Sequence, residues 1–297
     1  MAIPDKKALL IINPVAGRKQ IQRYVVQIVR SLMDKGYLVT TMVTAGRTDA
    51  RDWTARFGAD FDLVVCAGGD GTLNECASGM ADADLSIPLG YIPCGSTNDF
   101  AAAHGLSTDI PGEAERIAGG CRKRYDLGCF GERYFLHHAL FGAFTWMAYS
   151  TDQEQKNVLG YGAYVLDALK NLSKVKPIPL SISADGVETE GEYVFGVVST
   201  NRYIAGIYEL PEELAGEADG RLAAVLIQTP KTVLDWDSLA HSLLTGDLQC
   251  PLLTILTAQE FLIRPREEME WSLDGESSGK RTEVRIRAKQ AYLSLQG

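Results

Sequence analysis

Three polar, glycine-bearing turns near the start of the chain hold the side chains best suited to chemistry. They are Asn13-Pro14-Val15-Ala16-Gly17-Arg18-Lys19, Gly68-Gly69-Asp70-Gly71-Thr72 and Gly95-Ser96-Thr97-Asn98-Asp99. Glycine lets a backbone approach a ligand closely and leaves N–H groups free to face phosphate oxygens. Thr72 and Glu75 have the spacing of a capping box, which would open a helix whose N-terminal dipole points at the same place. Asp70 conflicts with an anion site, because a carboxylate repels phosphate unless a metal ion or a magnesium-bound water faces it. Any one such turn is more often a tight connection than a ligand site. Three of them at one sheet edge would be a phosphate cradle.

The familiar phosphate motifs are missing. No Gly-x-x-x-x-Gly-Lys-Ser/Thr occurs, so the chain has no P-loop. The dinucleotide fingerprint fails where Asn74 stands in place of its third glycine. A His-Arg-Asp catalytic loop is also absent.

Bringing three turns together requires a sheet. Residues 8–12 form a short apolar run ending at Asn13-Pro14, as a buried parallel strand does. Ile21, Tyr24, Val25, Ile28, Val29, Leu32 and Met33 have helical spacing, closed by Gly36. Residues 38–43, 63–67 and 89–92 read as further strands, and 49–57, 72–80 and 98–104 as helices. This alternation predicts a doubly wound, mostly parallel α/β domain, whose ligands bind beyond the carboxyl ends of the strands. Each turn follows one of those ends. Beyond Arg122 the chain turns strand-rich, at 134–140, 180–183, 193–199, 222–227, 252–256, 261–264, 269–273 and 284–287. Helical stretches interrupt it only at 159–172 and 233–244. Strands without intervening helices predict a mainly antiparallel β-sandwich or half-barrel. The expected domains are residues 1–125 and 126–279.

Composition narrows the function further. The 297 residues are 46% apolar and 23% charged, an ordinary globular balance. A net charge of −9 weighs against nucleic-acid binding, which needs basic surface. The six cysteines form no Cys-x-x-Cys pair, which argues for reduced thiols rather than a disulfide framework or a zinc site. No apolar stretch reaches the roughly 18–20 residues that span a bilayer, and the N-terminus lacks a signal-peptide pattern. A cytoplasmic protein is the expectation.

At this point the motifs identify relatives. Gly68-Gly69-Asp70-Gly71-Thr72 resembles the nucleotide signature shared by phosphofructokinases, NAD kinases and the diacylglycerol kinase catalytic domain. Pro93-Cys94-Gly95-Ser96-Thr97-Asn98-Asp99-Phe100-Ala101 is similar to the diacylglycerol kinase version, as in the soluble bacterial diacylglycerol and related lipid kinases. The similarity continues through Tyr125-Asp126-Leu127-Gly128 and residues 156–172 to Asp274-Gly275-Glu276. The resemblance implies an ATP-dependent phosphotransferase acting on a lipid hydroxyl, with diacylglycerol converted to phosphatidate. It implies a nucleotide site in the first domain, a β-sandwich second domain with lipid entering between them, and residues 280–297 returning to the first.

Residue by residue, the resemblance gives Asn13, Gly69, Gly71, Thr72, Gly95, Thr97, Asn98 and Asp99 to the nucleotide. Asp70 would organise phosphates and Mg2+, and Glu276 would take the proton from the lipid hydroxyl as general base. Asp219, with backbone carbonyls at Gly216 and Arg221, would hold a second magnesium ion, and Asp126 would link that ion to the active site. Lys19, Arg18 and Lys156 could steady phosphates or headgroups, although a solvated charge is the commoner role for any one of them. Taken alone, Asp-Gly-Glu is usually a solvated hairpin turn; its place in the family pattern reverses that reading.

The chain departs from the family in places. A glycine-rich turn expected after Asn201 is only Ala205-Gly206-Ile207. Gly216 and Arg221 replace hydrophobic residues beside Asp219, and His137-His138 stands where an ordinary strand pair is expected. Without further ligands at metal spacing, these histidines read as strand residues. Phe141, Phe144, Trp146, Met147 and Tyr149 could line a lipid cleft or fill a core. The rival functions are a kinase of a soluble acceptor, as in the NAD kinase branch, and an inactive lipid-binding protein. Peripheral contact with the inner face of the membrane is expected, and exposed sheet edges are compatible with a homodimer.

Overall fold

The apolar runs near the N-terminus pair as a parallel sheet. The computed structural model describes residues 4–142, 169, 172, 175–204, 208–216 and 218–297. Its first elements are β1 (Lys6–Ile12), α1 (Val25–Asp34), β2 (Tyr37–Val43), α2 (Asp49–Phe57), β3 (Leu63–Gly68), α3 (Asp70–Asp82), β4 (Leu89–Pro93), α4 (Asp99–Ala103) and α5 (Ile110–Gly119). The strands lie in the order β2-β1-β3-β4, every neighbouring pair parallel. Leu10, Val65 and Ile92 share a core with Ile28 and Leu32 of α1 and with Ile110 and Ile117 of α5. Leu9, Ile11, Val64 and Cys66, which alternate with them, are just as fully buried. A sheet covered on both faces requires that pattern. The helices α2 and α3 pack together, joined by the Arg51–Asp82 ion pair at 2.6 Å.

The helix α5 is not among the elements expected from the sequence. Asp109 caps it by accepting a hydrogen bond from the Gly112 N–H (3.1 Å), Pro111 lies in its first turn, and Gly120 closes it at φ 85°. These are ordinary start and stop signals.

The remaining elements are β5 (Arg122–Phe130), β6 (Arg133–Phe135), β7 (His138–Gly142), β8 (Ile178–Ala184), β9 (Val187–Ser199), β10 (Tyr203–Ile204), β11 (Tyr208–Glu209), β12 (Leu222–Gln228), α6 (Val233–Thr245), β13 (Leu253–Ala258), β14 (Glu260–Pro265), β15 (Met269–Leu273), β16 (Glu276–Arg281) and β17 (Val284–Gln296). They run in the order β16-β15-β7-β9-β8-β14-β17, with β12 on β9 and β13 on β12. Each of these pairs is antiparallel, as expected. Along β9, Val197 enters a core with Leu239 and Leu243 of α6, whereas Val198 enters a second core with Phe141, Phe261 and Trp271. Phe141 is therefore a core residue, 5.0 Å from Trp271 in an edge-to-face pair. Phe144, Trp146, Met147, Tyr149 and the helical stretch 159–172, apart from residues 169 and 172, lie outside the described residues.

Two compact units result: Met1–Tyr125 with Ala291–Gly297, and Asp126–Gln290. The last strand serves both. Its first residues pair with β14, and its final ones run parallel to β4, Leu295 opposite Leu89. The Gln296 amide donates to the Ile117 carbonyl (2.7 Å) and the Tyr292 hydroxyl to that of Met80 (2.7 Å), fixing this terminal segment to the first unit.

Candidate active site

Because β1, β3 and β4 are parallel, their carboxyl ends deliver the three turns to one rim of the first unit. Asn13 joins two of them. Its Nδ2 donates to Thr72 Oγ1 (3.0 Å) and its Oδ1 accepts from the Val15 N–H (3.1 Å). The second and third turns meet backbone to backbone: a Cβ on Gly95 would sit 2.6 Å from the Gly69 Cα. A Cβ on Gly17 would strike the Cys94 carbonyl oxygen at 1.9 Å, so the first turn closes on the third as tightly. The glycines are there because the backbones touch.

Asp70 resolves its conflict with an anion site through the third turn. Its Oδ2 accepts from the Asp99 N–H (2.9 Å) and the Thr97 hydroxyl (3.4 Å), and its Oδ1 accepts from the Phe100 N–H (3.0 Å). The carboxylate thus sits on the unsatisfied donors at the start of α4, where negative charge is favoured. Asn98 shapes the same turn from a left-handed backbone (φ 51°), its Oδ1 accepting from the Gly95 N–H (2.7 Å) and its Nδ2 donating to the Gly95 carbonyl (3.1 Å). Thr97 and Asp99 are exposed at the rim, and Gly71 lies exposed in the first turn of α3. Burial pushes the Cys94 thiol up to about 12 and raises the Tyr91 phenol strongly, with the charge of Asp70 adding to the latter.

The Thr72/Glu75 capping box does not form. The helix α3 starts two residues earlier than expected, at Asp70, with Gly69 at its N-cap and no side-chain cap. Thr72 is taken by Asn13, and Glu75 Oε1 accepts instead from the Thr48 N–H (3.1 Å), which ties α3 to the turn before α2. Lys19 lies in the 3-10 turn Gly17–Arg23, and Lys156 lies outside the described residues.

In the second unit, Glu276 opens β16 directly after a two-residue turn. Leu273 faces Glu276 across the hairpin, and Asp274 and Gly275 have φ of 45° and 86°. Positive φ at both positions is the type I′ geometry that Asp-Gly favours. Glu276 is exposed. Asp274 turns back onto the segment before β7, and its carboxylate accepts from the N–H groups of Leu136 (2.6 Å), His137 (2.8 Å) and His138 (2.9 Å). The single strand expected over 134–140 is broken there into β6 and β7, because those N–H groups serve the carboxylate.

His137 and His138 are held locally. Asn201 Nδ2 lies 3.2 Å from His137 Nδ1, and His138 Nε2 is 2.9 Å from the Tyr203 carbonyl oxygen. Asp126 is buried, and its Oδ2 accepts from the Gly220 N–H (2.8 Å). Asp219 is exposed, with Oδ2 accepting from the Gly216 N–H (3.2 Å) and Oδ1 from the Arg221 N–H (2.9 Å). The Arg221 guanidinium turns to Thr257 Oγ1 (2.8 Å), so only its backbone is at hand for an ion. No cluster of three His, Cys, Asp or Glu side chains forms among the described residues. One carboxylate with backbone oxygens is nevertheless an oxygen-only donor set of the kind magnesium takes. A Cβ on residue 216 would sit 2.7 Å from Asp219 Oδ2, so a larger residue there would require the carboxylate to shift.

Known proteins resemble this chain over most of its length. The family model for the diacylglycerol kinase catalytic domain matches residues 7–130. The diacylglycerol kinase of Bacillus subtilis (strain 168) is 30% identical over 278 residues, covering 92% of this chain and 91% of that protein. That of Staphylococcus haemolyticus (strain JCSC1435) is 29% identical over 280 residues, covering 93% and 83%. A crystal structure of a diacylglycerol kinase from Bacillus anthracis str. Sterne superposes with a TM-score of 0.77 at 26% identity, covering 98% of this chain and 96% of that one.

Proposed function

The chain belongs to the diacylglycerol kinase family, and from that premise we propose that it transfers the γ-phosphate of ATP to the hydroxyl of diacylglycerol, giving phosphatidate. The observation that supports this reading most is the closure of three glycine-bearing turns on one another at a single rim, locked by Asp70 and Asn13. Phosphoryl transfer needs positioning and charge neutralisation more than a covalent nucleophile. In this reading Asn13, Gly69, Gly71, Thr72, Gly95, Thr97, Asn98 and Asp99 shape or line the phosphate cradle, with Lys19 adding positive charge. Asp70 holds α4 and the third turn in register. Glu276 accepts the proton of the acceptor hydroxyl, making the oxygen a better nucleophile toward the γ-phosphorus.

Magnesium fits the acidic residues present. Asp219 and the backbone oxygens of Gly216 and Arg221 would hold one ion, and Asp70 would face another through water. The chemistry that magnesium supplies when bound is neutralisation of charge on the transferring phosphoryl group. Asp126 fixes the Gly216–Arg221 loop through its bond to the Gly220 N–H. Because the acceptor resides in a bilayer, the protein works at the membrane surface; among the described residues no helix is long and apolar enough to cross one. Peripheral contact with the inner leaflet and a homodimer through exposed strand edges belong to the same reading.

The test is transfer of labelled γ-phosphate from ATP, with and without Mg2+, to a panel of acceptors: diacylglycerol in mixed micelles, a sphingoid base, and NAD. Labelled phosphatidate that disappears on chelation of magnesium is the expected product. Label on NAD alone, or on no acceptor with folded protein, would overturn the proposal.

A further inference from the structure

Two Asp-Gly hairpins in the second unit use one device for different ends. β8 and β9 are joined by Asp185-Gly186, with φ of 47° and 90° and Ala184 facing Val187. Asp185 accepts from the N–H groups of Gln259 and Glu260 (both 3.0 Å), and its own N–H donates to the Glu260 carbonyl (3.1 Å). β15 and β16 are joined by Asp274-Gly275 in the same geometry. Asp274 accepts from Leu136, His137 and His138, and its own N–H donates to the His138 carbonyl (2.9 Å). In each hairpin the first turn residue pins the tip to a neighbouring segment through charge-assisted bonds. The residue that follows the turn differs: an exposed Val187 in one, an exposed Glu276 in the other.

The segment that holds Asp274 is itself fixed to the core. Thr200 Oγ1 donates to the Leu136 carbonyl (2.5 Å), and the Thr200 N–H donates to that of His137 (3.1 Å). Thr200, Asn201 and His137 are buried. A continuous run of bonds thus leads from the end of β9, through residues 136–138, to the turn that carries Glu276. An exposed hairpin tip otherwise belongs to the least stable part of a fold.

We propose that Asp274 is the positioning residue for Glu276. By anchoring the turn to residues 136–138, it fixes the carboxylate that accepts the hydroxyl proton, without itself touching substrate. The inference rests on the reading of Glu276 as general base. Misplacing a reacting group by about 1 Å costs on the order of 100-fold in rate, and a loss of that kind falls on kcat rather than on KM. Asp274→Asn keeps one acceptor oxygen but sets an NH2 against backbone donors.

The experiment measures kcat and KM for ATP and diacylglycerol in the wild-type protein, Asp274→Asn, Asp185→Asn, Glu276→Gln and the Asp274→Asn/Glu276→Gln double variant. Assays run at a temperature where thermal melts show each variant folded; Asp274→Ser replaces Asp274→Asn should the latter not fold. The expected result is a kcat loss of roughly 30- to 100-fold for Asp274→Asn with both KM values within about twofold. Asp185→Asn stays within about twofold of wild type, and the double variant is no slower than Glu276→Gln, since a residue acting through Glu276 has nothing left to position. An Asp274→Asn variant as active as Asp185→Asn, beside an inactive Glu276→Gln, would overturn the positioning role alone. So would losses that multiply in the double variant. Full activity in Glu276→Gln would instead remove the general-base reading, and the positioning role with it.

Discussion

Asn13 and Thr72 share one hydrogen bond, and through it the first turn is held against the second. Losing a side-chain bond of this kind costs about 1 kcal/mol, or about fivefold in affinity if the cradle loosens. Asn13→Ala is expected to raise the KM for ATP by that factor, measured by initial rates at saturating lipid. An unchanged KM would show that the turn keeps its shape without the bond. Cys94 precedes Gly95 in the third turn, and burial pushes its thiol up to about 12. Since the thiolate is the reactive form, alkylation at pH 7.5 should label exposed Cys121 and spare Cys94 until denaturant is added. Mapping the labelled peptides by mass spectrometry checks this; rapid native labelling of Cys94 would mean that the turn opens. The rim was legible from sequence because three glycine-bearing turns each follow an apolar strand run of a parallel sheet, although any one of them alone would read as a tight connection. The partners of Asp70 were not. Which N–H groups curl around a carboxylate depends on a turn 29 and 30 residues away, and local spacing carries no record of it.

Among the described helices, α6 has the most complete cap. Thr232 Oγ1 accepts from the Asp235 N–H (3.1 Å), and Asp235 Oδ2 accepts from the Thr232 N–H (2.8 Å). Thr232→Ala should destabilise the protein by about 1 kcal/mol in urea unfolding while leaving kcat unchanged. In α5, Glu113 is buried beside Arg116 (2.9 Å); burial raises its pKa above 4.5 and the arginine only partly offsets this. A carboxyl with a raised folded-state pKa binds its proton more tightly when folded. Its contribution to stability is therefore full below about pH 4.5 and is lost as the pH rises through the raised value. Glu113→Gln should flatten the dependence of stability on pH across that window; an unchanged slope would contradict the shift. Helices and strands with clean periodicity, such as α1 and β3, follow from their own residues. The break between β6 and β7 does not. It is made by Asp274, 138 residues from Leu136 in sequence, and its own stretch of chain reads as one strand.

For the whole molecule, the change from alternating helix and strand to strand-rich sequence near residue 125 marks the change from parallel to antiparallel sheet. The two-way use of β17 is harder to read. Its alternation at Val284 and Ile286 fits the second unit, and from Ala291 onward it belongs to the first, where Leu293 and Leu295 are buried. In the proposed reaction a cradle of turns holds the ATP phosphates and Glu276 activates the acceptor hydroxyl. The most direct measurement is the rate of labelled phosphatidate formation by wild type and Glu276→Gln, with ATP affinity of both measured by calorimetry. A general base contributes about 100- to 10,000-fold. The expected result is a loss of that size in Glu276→Gln with ATP affinity unchanged. Wild-type turnover in Glu276→Gln, or a loss of rate that follows a loss of ATP affinity, would contradict it.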